Sequence, residues 1–266
     1  MGEIDIWPEQ GLAVIKIGNA TDLYMTQERA EVLCEAISDA AGDDAVRAIV
    51  FTGASPDTFI RHYSLDELMR LARKLQQDKV RVDETAPFEA GHFDLACSLV
   101  ERCGKPTIAA INGHCMGGGL EFALACDIRI GRRGNFMIGL PEVQVGLLPG
   151  GGGTQRLPRL IGYARAVELM FAGGVVAPEE AERIGILNRC VEDPLSEALA
   201  YAARVSEQPP EAVAAVKRLA RGSWLQGLDD ALALERNLFL QLVQTPVAVA
   251  LMTAQIEKYK RLEKAG

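Results

Sequence analysis

Two glutamates in this 266-residue sequence sit in apolar company. Glu121 lies between Leu120 and Phe122 in the apolar run Leu120 to Cys126. A carboxylate buried there is costly unless it is paired or used. Glu142 lies in Gly139-Leu140-Pro141-Glu142-Val143. Glycine runs stand near both acids. Gly117-Gly118-Gly119 directly precedes the first apolar run, and Gly150 to Gly153 follows the second acid. Three glycines before an apolar helix leave bare backbone N–H groups at its N-terminus, where an anion or a developing oxyanion can bind. Two acids beside two such backbones suggest acid/base chemistry on a carbonyl compound. The plainer readings are a tight turn at Gly117, a Glu121 carboxylate interacting with the helix dipole for ~0.3–1 kcal/mol, and a surface Glu142. Spacing alone does not bring the two acids together.

Other chemistries find little support. No Lys follows Gly150 to Gly153 as a phosphate-binding loop requires, and the dinucleotide pattern G-x-G-x-x-G fails at Gly117 and at Gly150. Cys34, Cys97, Cys103, Cys115, Cys126 and Cys190 form no Cys-x-x-Cys pair, so reduced core thiols are expected. His62, His92 and His114 are not at metal-ligand spacing, and no metal site is expected. The net charge of -8 and pI near 5.1, without a basic run, argue against nucleic acid as a partner. Lys258 to Lys264 alternates with Glu257 and Glu263 as a solvated helix face would. The start, Met1-Gly2-Glu3-Ile4-Asp5, has neither a signal-peptide pattern nor, with Ile6, a myristoylation pattern. No apolar run reaches membrane-span length. A cytoplasmic protein with no membrane partner is expected.

The elements that must position these residues are partly readable. Leu12 to Ile17 and Val46 to Thr52 read as strands, the second buried on both sides. Thr26 caps a helix with Ala30, Leu33, Cys34, Ile37 and Ala41 on one face. Ser64-x-x-Glu67 looks like a capping box, with Tyr63 and Leu68 as its staple, opening a helix towards Val80. Asp94 to Arg102 reads as a helix and Thr107 to Ile111 as a strand. Leu120 to Cys126 reads as a buried helix. Short strands are expected at Asp127 to Ile130, Phe136 to Ile138 and Leu187 to Val191, with a side-chain-free loop at Gly150 to Gly153. Helices are expected at Ala164 to Ala172 and Pro178 to Ile184. From Pro194 onward the pattern is helical throughout. The expected organisation is an α/β core over residues 1–193 and a helical extension over 194–266.

The stretch from Lys105 to Asp127 resembles the signature of the crotonase superfamily, the enoyl-CoA hydratases and isomerases, and Pro141 to Leu157 resembles that family's second motif. Ala177 to Ala181 and the C-terminal helices extend the likeness over nearly the whole chain. The resemblance implies a spiral of ββα units, a C-terminal helical trimerisation region and trimers often paired into hexamers. It implies oxyanion-hole N–H groups from Gly118 and Tyr63, and two acids, Glu121 and Glu142, that hold a catalytic water with help from the backbone at Gly150. Arg61, His62, Leu65 and Gly117 become substrate-binding candidates. No cofactor is implied, since coenzyme A is carried as part of the substrate.

Both glutamates together favour hydration of a 2-enoyl-CoA. Fixed N–H donors stabilise the enolate oxygen formed when water attacks the β-carbon. Two features depart from the family. Phe59-Ile60-Arg61-His62-Tyr63-Ser64 replaces the small F-x-A-G-A-D segment, and Ile17-Gly18-Asn19-Ala20 stands where N-R-P is usual. A backbone donor survives a bulky side chain, so Tyr63 still serves. His62 is open to three readings: packing, a ligand contact, or an extra base. His92 and His114 read as structural. Other reactions of the same family remain alternatives: double-bond isomerisation, or hydrolysis of a C–C bond or thioester with His62 taking part. A non-catalytic or RNA-binding relative is a third, which the acidic balance and the glutamate pair oppose.

Overall fold

The computed structural model describes residues 3–7, 11–21, 23–85, 89–223 and 225–265. Met1 and Gly2 of the N-terminal reading, and the Lys264 side chain, lie outside the described residues. The chain divides into two compact units, Met1–Ser206 and Glu207–Gly266.

The first unit is an α/β structure. Its elements run β1 (Glu3–Trp7), β2 (Leu12–Ile17), α1 (Gln27–Gly42), β3 (Ala48–Gly53), β4 (Thr58–Ile60), α2 (Leu65–Gln77), α3 (His92–Arg102), β5 (Thr107–Ile111), β6 (His114–Met116) and α4 (Gly118–Ala125). There follow β7 (Ile128–Arg132), β8 (Ile138–Gly139), a 3₁₀ turn (Glu142–Val145), α5 (Gly153–Ile161), α6 (Tyr163–Ala172), β9 (Val175–Val176), α7 (Pro178–Arg183), β10 (Arg189–Val191) and α8 (Pro194–Ser206). A six-stranded sheet has the order β1-β2-β3-β5-β7-β10, parallel except for β1. Its period of two is visible in the packing. Ala13, Ile15, Ile49, Phe51, Ala109 and Ile111 join one core with α1, α3 and α4, whereas Leu12, Val14, Ala48, Val50, Ile108 and Ala110 join a second.

That second core is closed by α8, whose Ala198 and Ala202 are fully buried with the sheet residues. The first compact unit therefore continues through Ser206, beyond the Asp193 boundary expected from the sequence. Small residues let this helix approach the sheet closely, which its sequence does not distinguish from the later helices.

A second sheet, β4-β6-β8-β9, is parallel except for β9. Strand pairs β3–β4, β5–β6 and β7–β8 each step from one sheet to the other, giving the ββα spiral. The Asn112 side chain ties neighbouring steps together: its Oδ1 accepts from Gly53 N at 2.9 Å and its Nδ2 donates to Gly53 O and Ser55 O.

Several local expectations are modified. The Ser64 hydroxyl accepts from Glu67 N at 3.4 Å, but the reciprocal half of the capping box is missing. The Glu67 carboxylate instead accepts from Gln27 N, and Ser64 N donates to Met25 O. The glycine run is only partly loop, because Gly153 opens α5. All six cysteines are free.

The second unit contains α9 (Pro210–Gly222), α10 (Leu228–Val243) and α11 (Pro246–Ala265). Leu228, Leu232, Phe239, Met252, Ile256 and Tyr259 are exposed on it. Among the described residues no single helix is long and apolar enough to cross a membrane.

Candidate active site

Three parallel strands of the small sheet deliver the candidate residues from their C-terminal ends. Beyond β4 come Arg61, His62 and Tyr63, beyond β6 come Gly117 and Gly118, and beyond β8 comes Glu142. Adjacent parallel strands lie ~5 Å apart, so segments distant in sequence meet at one edge.

Gly118 is the first residue of α4, so its N–H has no carbonyl within the helix to bond. Tyr63 forms an isolated parallel bridge with Met25. The hydrogen bonds of that bridge belong to Met25, which donates to His62 O and accepts from Ser64 N. The N–H of Tyr63 takes no part in it. A Cβ placed on Gly118 would lie 3.4 Å from Tyr63 N, which sets the two N–H-bearing segments side by side. Gly117 turns the chain into the helix with φ 51°, ψ -128°, and its N–H donates to Gly139 O across to β8.

Glu121, in the first turn of α4, is only 4% exposed. Its Oε1 accepts from Gly151 N at 2.7 Å and Gly153 N at 2.8 Å. Burial pushes its carboxyl up to about 7; the nearby Glu142 charge adds to the rise, and the two backbone N–H groups and Arg156 oppose it. Glu142 opens the 3₁₀ turn, and burial also raises its carboxyl above the ordinary value. Its Oε2 is buried and has no hydrogen-bond partner among the described residues. Its Oε1 is 3.2 Å from the point a Cβ on Gly117 would occupy. The structure thus brings Glu121, Glu142, Gly117, Gly118 and Tyr63 together. An orphaned buried acceptor beside a second raised acid is suited to sharing one polar molecule between them.

The remaining candidates are placed less centrally. Gly150 is exposed, and the backbone groups on Glu121 belong to Gly151 and Gly153. His62 packs its ring 4.6 Å from that of Tyr24, and its Nδ1 bonds Tyr63 O at 2.7 Å. That carbonyl can only accept, so Nδ1 carries the proton. Leu65 opens α2 and is 47% exposed. Arg61 is half-buried, and its backbone N–H bonds Leu23 O. His114 Nδ1 accepts from Met137 N, and His92 Nδ1 bonds Gln27 Nε2, so both have structural contacts.

Sequence reasoning missed Phe93 and Arg156. Phe93 stands edge-on to Tyr63 with centroids 5.9 Å apart, and its ring also meets the space above Gly118 and Gly151. The Tyr63 phenol is pushed up to about 12, first by burial and then by Glu67, with which it hydrogen-bonds. No local signal in α3 marks Phe93. Arg156 lay within the second motif, but only the fold shows what it holds.

An α/β spiral that gathers two raised carboxyls and two free-standing backbone N–H groups at one sheet edge defines a site for acid/base work on a carbonyl compound. Residues 8–262 match the enoyl-CoA hydratase/isomerase family, and the chain belongs to it. It is 34% identical to a short-chain-enoyl-CoA hydratase of Clostridium acetobutylicum, over 84% of this chain and 82% of that protein. It is 35% identical to the fatty acid oxidation complex subunit alpha of Shewanella baltica over 69% of this chain, but spans only 25% of that longer protein. Among solved structures, an enoyl-CoA hydratase subunit I from Geobacillus kaustophilus superposes with a TM-score of 0.83 at 28% identity, covering 97% of this chain and 95% of the other. DspI of Pseudomonas aeruginosa superposes with a TM-score of 0.84 at 31% identity, covering 97% and 94%.

Proposed function

We propose that this protein adds water to a 2-enoyl-CoA thioester, giving a 3-hydroxyacyl-CoA. The observation that carries the reading is the pair of raised carboxyls beside the Gly118 helix start, one with a buried oxygen that has no partner among the described residues. The thioester oxygen binds between the N–H groups of Tyr63 and Gly118. Glu121 takes a proton from water as its oxygen bonds to the β-carbon, and the C=C electrons move to the thioester oxygen as an enolate. Glu142 then gives a proton to the α-carbon as the carbonyl re-forms, and the proton taken up by Glu121 passes back to Glu142 through solvent water, so the net change is the addition of H and OH. Two interacting acids around one water titrate as a pair, and the observed pH profile belongs to both.

The same family hosts isomerisations and hydrolyses, which His62 as an extra base would favour. Its Nδ1 is committed to Tyr63 O, and its ring lies on Tyr24, which fits a packing or ligand-contact role better. Exposed apolar side chains along α10 and α11 support self-association as a trimer or hexamer. The proposed setting is cytoplasmic, without nucleic acid, membrane or metal.

The test is loss of enone absorbance when the protein meets a short 2-enoyl-CoA. Glu121→Gln and Glu142→Gln should each lower kcat by at least ~10²-fold with little change in KM. His62→Ala should leave kcat within about tenfold. Abolished turnover in His62→Ala alongside a tolerated Glu121→Gln would overturn the hydratase reading.

A further inference from the structure

Arg156 sits on α5, one turn past the glycine run, and is largely enclosed. Its guanidinium makes a two-pronged pair with Glu101 of α3: Nε to Oε1 at 2.8 Å and Nη2 to Oε2 at 3.0 Å. The remaining nitrogen, Nη1, donates to Gly151 O at 2.6 Å. That peptide chain is the one whose N–H groups at Gly151 and Gly153 hold Glu121. The loop is wrapped so tightly on the guanidinium that a Cβ on Gly152, at φ 99°, would lie 2.0 Å from Nη1. A flat fork with several fixed donors can grip a carboxylate and a carbonyl at once, which a lysine ammonium cannot do in the same plane.

We propose that Arg156, itself fixed by Glu101, is a positioning residue that holds the Gly151–Gly153 backbone against Glu121 and keeps a fixed positive charge behind the reacting acid. The inference deepens the hydratase reading and rests on Glu121 being the base. The titratable groups around Glu121 are Glu142 on the 3₁₀ turn, Arg156 on α5, and Cys97 and Glu101 on α3. Arg156 is the cation of that set. It opposes the upward push of burial and of Glu142 on the Glu121 carboxyl. Without it the acid would hold its proton to higher pH, and a base must be ionised to accept one.

The experiment compares Arg156→Gln, Arg156→Lys and Glu101→Gln with the wild type by two readouts. One is kcat and KM for a short 2-enoyl-CoA against pH. The other is the titration of Glu121 followed by carbon-13 NMR of labelled glutamate in the substrate-free protein. Arg156→Gln should lower kcat about tenfold or more near neutrality and leave KM within about threefold. Its acid limb and the Glu121 titration should both move to higher pH. Arg156→Lys should lie between it and the wild type, since it restores charge without the fork. Glu101→Gln removes a negative charge, so the Glu121 titration should not rise. A folded Arg156→Gln protein with unmoved titration and kcat overturns the proposal. So does an equal upward move in Arg156→Gln and Glu101→Gln, which would mean general loosening. Should Arg156→Gln fail to fold, Arg156→Lys and Glu101→Gln carry the same decision through the NMR readout. Should the wild type fail to hydrate the substrate, a titration that moves as described would still support the positioning role, while the hydratase reading falls.

Discussion

Glu121→Gln should make the protein more stable at alkaline pH while removing its activity. Folding buries this carboxyl to 4% exposure and raises it from the ordinary 4.5 to about 7. Between those two values the folded chain binds more protons than the unfolded chain. Wild-type stability therefore falls as pH rises through that window, and above it the buried charge carries the full penalty. At about 1.4 kcal/mol for each pH unit, the penalty is at most about 3.5 kcal/mol. A glutamine keeps a carbonyl oxygen for Gly151 N and Gly153 N and has no charge to bury. Urea unfolding of both proteins from pH 4.5 to 8, at one protein concentration, measures the difference. The variant should gain steadily on the wild type, with most of the gain between pH 4.5 and 7. Parallel stability curves across the range would refute the reasoning, because the burial penalty would then not depend on ionisation.

Gly151→Ala places a Cβ 2.3 Å from Phe93 Cε1 and 2.8 Å from Glu121 Oε2, so it should cost ~1–3 kcal/mol by urea unfolding and depress turnover. Sedimentation at micromolar concentration should show a trimer or hexamer; a stable monomer there would count against the role given to α10 and α11.

The sequence made the long elements legible and marked β7, β8 and β10 roughly, while β4, β6 and β9 stayed hidden. Leu12 to Ile17 and Thr107 to Ile111 are bounded apolar runs, and both are strands. The small sheet that orders the site consists of strands of three, three, two and two residues. Such pieces are too short to display a period of two. Helix α5 was masked by Gly152 and Gly153 at its start and by Pro158 inside it, all of which read as helix breakers. Thr26 was readable as a cap because capping is local, and its side chain does accept from Arg29 N. Their apolar neighbours mark the two acids in the sequence, but their meeting depends on the order of strands in the small sheet. Gly151 and Gly153 hold Glu121 because their N–H groups both turn inward as α5 begins, a detail of backbone direction that residue types do not encode.

The placing of Tyr63, Gly118 and Glu142 beyond three successive parallel strands also bears on the order of events during synthesis. In the order of synthesis the Tyr63 and Glu121 segments both precede Gly151 and Gly153, the residues that meet the acid. The backbone partners of Glu121 thus come from some thirty residues further along the chain, a non-local pairing. The raised titration of that one acid is therefore a property of the wound chain, with the third ββα step in place.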